Sequence, residues 1–231
     1  KYIGGAFVWT GFDYGGEALM HYWPGVVSNF GILDYCGYPK DAYWYYKAWW
    51  TDEPVLHILP HWNGIGTDSV DVQLYTNLDE VELFLNNKSL GKKKVNKYDI
   101  PTWRVKYIPG KLTAKGKKEN IETTGEPALI QLSSENGDSI NGDGNDIAII
   151  TARILDSKKR IVPTADNYIS FKVENGTVLG IGNGNPSCHE PDVFPQNAPI
   201  GRSAFSGYAQ LIIKSNGSRK PIQITATAES L

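Results

Sequence analysis

From residue 55 onward, apolar and polar positions alternate over most of the chain. Runs at 70–75 (VDVQLY), 81–85 (VELFL), 103–107 (WRVKY) and 111–115 follow the two-residue period of half-buried strands. Asn86-Asn87-Lys88 and Pro109-Gly110 punctuate them as turns. Gly125-Glu126-Pro127 reads as a linker, after which the alternation resumes at 129–133, 146–156, 169–174, 177–181, 208–214 and 222–228. Glu174-Asn175-Gly176-Thr177 is a hairpin signal, and 183–202 is a long aperiodic loop with four Pro, Cys188 and His189. Short strands at this spacing predict two consecutive β-sandwiches.

The first fifty residues have another pattern. The apolar run 3–10 (IGGAFVWT) suits a strand buried on both faces, as in a parallel sheet. The Gly-rich aromatic stretch 11–29 has the composition of a functional loop. A helix is expected from about Pro39 to Trp50, with Pro39 at its start and Asp41 at its positive end. Of 27 aromatic residues, 17 lie in 1–62, and this shift marks a boundary near residues 50–54. One buried strand and one aromatic helix cannot stand alone, so this segment requires further cover.

Composition narrows the function. A net charge of −2 lacks the basic excess of a nucleic-acid binder, and no apolar run is long enough for a membrane-spanning helix. Cys36 and Cys188 make neither a disulfide framework nor a zinc site and read as free, buried thiols. The chain opens on Lys1 and its one methionine is Met20, so it is expected to be the trailing part of a longer polypeptide.

Trp9, Asp13, Glu17, His21, Tyr22 and Trp23 fall within 15 residues. Aromatic faces stack on the C–H face of a pyranose, and carboxylates accept its hydroxyls. A sugar-contacting role is therefore read for Trp9 and Asp13. Asp13 and Glu17 do not make a catalytic pair, because loop spacing fixes no geometry between them. His57 and His61 are separated by Pro60 and read as packed or exposed imidazoles rather than metal ligands. The run 137–146 (GDSINGDGND) offers alternating oxygen donors but lacks the terminal Glu of a calcium loop; a solvated turn is the plainer reading. Gly180-Ile181-Gly182-Asn183-Gly184 precedes no helix and is no dinucleotide fingerprint. Trp62 and Trp103 read as core residues, with exposed sugar platforms as the alternative.

The segments GGAFVWTGFDYGGE (4–17), WPGVVSNFGILDYCGYPKDAYWYYKAWW (23–50) and VLHILPHWN (55–63) resemble the end of a glycoside hydrolase family 2 β-galactosidase. YTNLDEVELFLNNKSLGKK (75–93) is similar to the sandwich that follows the barrel in such enzymes, and the tail is similar, more weakly, to their C-terminal immunoglobulin-like domain. The resemblance implies a mainly β chain: two immunoglobulin-like β-sandwiches (54–125 and 126–231) preceded by the last strand-helix unit of a (β/α)8 barrel (1–53). It places Trp9 at the strand end that faces the sugar and Asp13 in the loop beyond.

The family's acid/base and nucleophile are glutamates on earlier strands, which nothing here matches. The resemblance thus implies no catalytic residue, metal or cofactor in this chain, and no turnover by it alone. It implies a β-galactoside as substrate of the whole enzyme, and the N-terminal part of the same polypeptide as partner. Family members use such sandwiches to pack against the barrel or in a homo-oligomer, and both stay open. A bacterial periplasmic or secreted location follows only from the family likeness. A stand-alone carbohydrate-binding or structural sandwich module is the alternative, which the content of 1–50 disfavours.

Overall fold

The computed structural model describes residues 2, 4–16, 23–64, 68–116, 119–135, 137–195, 198–218, 220–229 and 231. They form two compact units, Pro39–Thr124 and Lys1–Tyr38 together with Gly125–Leu231. Both are dominated by antiparallel strands. Among the described residues, no helix is long and apolar enough to cross a membrane.

The first unit opens with α1 (Asp41–Trp50), two residues inside the expected start. Asp41 lies in its first turn and Lys47 in its last, each at the favourable end of the helix dipole. Thr51 closes the helix, its N and Oγ1 both donating to the Lys47 carbonyl. Seven strands follow: β1 (Leu56–Leu59), β2 (Ser69–Thr76), β3 (Glu80–Leu85), β4 (Lys88–Lys94), β5 (Thr102–Lys106), β6 (Lys111–Lys115) and β7 (Glu119–Glu122). They make a three-stranded sheet β1-β2-β5 and a four-stranded sheet β4-β3-β6-β7. Alternation does the sorting. Val70, Val72 and Leu74 of β2 and Val81, Leu83 and Leu85 of β3 point into one core with Trp62, Trp103 and Leu112. Trp62 is 1% exposed, and its Nε1 donates to the Ile108 carbonyl at 2.9 Å, which satisfies the one polar atom this burial strands. Helix α1 lies on the outer face of β1 and β2, with Trp44 stacked on His57 and Tyr45 edge-on to Tyr75.

The second unit holds β8 (Pro127–Ser134), β9 (Ile147–Asp156), β10 (Tyr168–Glu174), β11 (Gly176–Gly182), β12 (Ile200–Ser203), β13 (Tyr208–Ser215) and β14 (Gln223–Ala228). Sheets β11-β13-β9-β8 and β12-β10-β14 enclose Ile150, Ile154, Ile169, Phe171, Leu211 and Ile213. The expected 183–202 loop gives up its last residues to β12. Asp156 is almost fully buried and accepts hydrogen bonds from the backbone of Gly125, Lys158 and Arg160 and from the Arg160 guanidinium. Burial alone would raise its pKa; these donors reverse that and hold the carboxyl well below its ordinary value.

The run 4–10, expected as a strand, joins no named strand of either sandwich. Phe7 is fully exposed, and Tyr2, Trp9, Phe12 and Trp23 are also exposed. A parallel-type strand acquires its ladder only from neighbours on each side, and the sandwiches of this chain supply none to it.

Candidate functional site

Residues 23–38 lie on the outer face of the β9–β13 sheet. Tyr38 Oη meets Thr151 Oγ1 at 3.1 Å, its ring packs on Tyr208 at 4.9 Å, and Gln210 donates to the Cys36 carbonyl. Asp34 Oδ1 accepts from the backbone N of both Cys36 and Tyr38, closing the turn that seats this segment. Burial, helped by nearby Asp34, pushes the Cys36 thiol up to about 12, so it stays protonated and unreactive near neutral pH. Burial also lifts the Tyr38 phenol above its ordinary range. Val26 and Val27 both donate to the Pro186 carbonyl, which adds a second attachment.

Upon this base, residues 10–16 pair with 26–33. Ile32 donates to the Thr10 carbonyl, Leu33 to Gly11, Asp13 to Leu33 and Ser28 to Tyr14. Asp13 is 5% exposed, and its Oδ1 accepts from Gly31 N at 2.8 Å. Gly31 is required there by close approach. A Cβ on it would lie 2.3 Å from Asp13 N and 2.4 Å from the Leu33 carbonyl oxygen. Buried Ser28 accepts from Tyr14 N through Oγ. Trp9, at the start of this pairing, is 73% exposed. Its Nε1 donates to Tyr14 Oη at 3.1 Å, and the two rings stand edge to face at 88°. The hydrogen bond fixes the orientation of an indole face that is otherwise bare.

The structure thus brings Trp9 and Asp13 into one element with different tasks: Trp9 presents a ring, and Asp13 locks the backbone behind it. Trp23 packs against His189 with its ring tilted, 4.6 Å between centroids and 54° between planes. Glu17, His21 and Tyr22 lie outside the described residues. Tyr14, Ser28 and Gly31 were not singled out in the sequence. The aromatic density around Trp9 is the one signal that pointed toward Tyr14.

No group of three His, Cys, Asp or Glu side chains among the described residues is placed to hold a metal. In the 137–146 run, Asp143 Oδ1 accepts from the backbone of Asn145 and Asp146, and Asp146 Oδ2 from Asn141. These bonds hold the Asp143 carboxyl below its ordinary pKa and close the loop as a turn. His57 lies between the carboxylates of Asp41 and Glu119 rather than beside His61.

Two antiparallel β-sandwich units, one of them carrying an aromatic, loop-fixed segment, define the class of this chain. Residues 130–231 match glycoside hydrolase family 2 C-terminal domain 5, and residues 67–124 match a domain of unknown function, DUF4982. The chain belongs to glycoside hydrolase family 2 and carries C-terminal domains of that family. It is 41% identical over its whole length to β-galactosidase BoGH2A of Bacteroides ovatus, of which it spans 28%. It is 35% identical, over 79% of its length, to a putative β-glucuronidase of Formosa agariphila, of which it spans 19%. Among solved structures, a β-glycosidase from Bacteroides vulgatus superposes on 95% of the chain at a TM-score of 0.84 and 36% identity, the match covering 29% of that enzyme.

Proposed function

We propose that this chain serves as the C-terminal part of a retaining β-galactosidase. Residues 1–53 complete its (β/α)8 barrel, and the sandwiches 54–125 and 126–231 follow as accessory domains. Trp9 stacks against the bound galactose, and Asp13 holds the loop that carries the ring. In the rest of the enzyme one glutamic acid protonates the leaving oxygen, and a second glutamate attacks the anomeric carbon to give a covalent galactosyl intermediate. The observation that carries this reading is the bare, oriented indole of Trp9 at the end of an unpaired aromatic segment. The 41% identity to BoGH2A supports the choice of galactoside. The likeness to the Formosa agariphila proteins favours a β-glucuronide as the second reading.

In the full-length enzyme, Trp9→Ala is expected to lower kcat/KM on a chromogenic β-galactoside by about 100-fold, the scale of one lost aromatic face. His57→Ala, in the other unit, is expected to leave kcat/KM within about twofold of the parent enzyme. Equal losses in the two variants would remove Trp9 from the site. Turnover of the β-glucuronide exceeding that of the galactoside would replace the first reading by the second. The chain by itself is expected to hydrolyse neither, and saturable hydrolysis by it would overturn the division of labour.

A further inference from the structure

A cleft of about 830 Å³ opens in the second unit between residues 163–166, 183–190 and 203–206. Thr164, Asp166, Asn185, Ser187, His189 and Phe205 contribute to its wall. The loop that shapes it is built in advance. Asn183 is 2% exposed; its Oδ1 accepts from Asn185 N, and its Nδ2 donates to the Ser203 carbonyl. Asn185 Oδ1 accepts from Ser187 N, and the Asn185 carbonyl accepts from Cys188 N. Beneath the loop, Arg202 is 2% exposed and donates to the Glu190 and Ile181 carbonyls. Its charge is matched by Asp192, while Glu190 Oε2 accepts from Ser203 N. A wall already fixed by such bonds loses little entropy when a ligand arrives.

The cleft has the surface of a sugar site. Phe205 is 39% exposed and supplies an apolar face, while Thr164, Ser187, Ser206 and Asn185 offer hydroxyl and amide groups. One edge is His189, whose Nε2 is 2.7 Å from the Pro24 carbonyl oxygen and whose ring packs at a tilt against exposed Trp23. Trp23 follows the Trp9 segment in the chain, so this edge is tied to the same element as Trp9.

Charge narrows the ligand. The described lining includes the carboxylates of Asp166 and Glu190 and no lysine or arginine. An anionic sugar would enter with no cation to meet it and two carboxylates to oppose it.

We propose that this cleft is a second carbohydrate subsite, selective for a neutral sugar unit of the glycoside on which the enzyme acts. This rests on the glycosidase reading above and adds to it a holding site outside the barrel.

The test is a titration of the isotope-labelled 231-residue chain, followed by amide shifts, with lactose and cellotetraose as neutral probes and methyl β-D-glucuronide as the anionic one. Millimolar binding of at least one neutral probe is expected to shift the side-chain amides of Asn183 and Asn185, with the glucuronide at least 10-fold weaker. Phe205→Ala and Asp166→Asn are each expected to weaken that binding at least fivefold. Should Phe205→Ala lower the melting temperature, exposed Asp166→Asn carries the comparison. Silence of the two amides with both neutral probes, binding unchanged in Asp166→Asn, or equal affinity for the glucuronide would overturn the proposal. The indole N–H of Trp9 reports separately in the same spectra, and hydrolysis by the full-length enzyme is a third readout. A failure of the cleft is therefore distinct from a failure of the galactosidase reading.

Discussion

His57 has each ring nitrogen turned toward a carboxylate, Nε2 at 2.9 Å from Asp41 Oδ1 and Nδ1 at 3.5 Å from Glu119 Oε1. A neutral imidazole has one N–H and can donate to only one of them; the imidazolium donates to both. Tyr75 and the stacked Trp44 complete its surroundings. Burial alone would lower its pKa, but Asp41 and then Glu119 override that and hold it above the ordinary 6.5. A raised native pKa means that the folded state binds the proton more tightly. The stabilisation is then complete below pH 6.5 and is lost as pH rises through the native value. Asp41 is largely exposed, so solvent screens the pair and the effect is about 1 kcal/mol. Denaturant titrations of the 39–124 unit between pH 5 and 9 are expected to show this loss, and His57→Gln to flatten it. A slope unchanged in His57→Gln would assign the pH dependence to other groups. Little of this was legible beforehand. Rejecting a metal at His57 and His61 needed only Pro60 between them, whereas the two carboxylates reach His57 from sequence positions 16 before and 62 after it.

At the scale of elements, the pairing of 10–16 with 26–33 depends on one backbone crossing. Gly31 passes so close to Phe12 and Asp13 that a methyl group there must force the two segments apart. Gly31→Ala is expected to cost about 2–3 kcal/mol of local stability. It should release Ser28 and Tyr14 amide protons to fast hydrogen exchange while leaving those of β9 and β13 protected. Protection unchanged at Ser28 would show that the crossing adapts. The elements that were legible are those whose burial alternates: β2, β3, β9 and β13 all show a buried position at every second residue along most of their length. β4 (KSLGKKK) and β7 (ENIE) carry almost no apolar alternation because both are edge strands of their sheet. Lysines on β4 suit a strand edge that must not recruit another chain. Described residues 4–10 of the apolar run lie in no named strand for the converse reason. Its apolar character is plain in the sequence, but a ladder is a property of its neighbours. The Trp9 ring stood out in the sequence as one of a dense set of aromatics; its orienting partner Tyr14 and the Gly31 crossing did not, since both arise from how the loop folds back on itself.

At the scale of the whole molecule, two hydrophobic cores share no residue. One runs from Leu56 to Ile121 and the other from Ile130 to Ala226. Each is enclosed by two sheets of its own, so each sandwich has the means to fold independently. The same does not hold for residues 1–38. Of these, residues 23–38 lie on the outer face of β9 and β13, where Tyr38 and Cys36 cover Thr151, Tyr208 and Gln210. Thr151 is fully buried under them. Residues 39–124 expressed alone should therefore keep a cooperative fold, with Trp62 fluorescence blue-shifted by its burial beside Tyr107. Residues 125–231 alone should melt below the same unit in the intact chain, by about 5 °C for each kcal/mol of lost cover. The intact chain should then unfold in two transitions, one of which moves when 1–38 is removed while the other stays. A single transition in the intact chain, with 39–124 unfolded on its own, would mean that stability is shared across the two units and that neither core suffices.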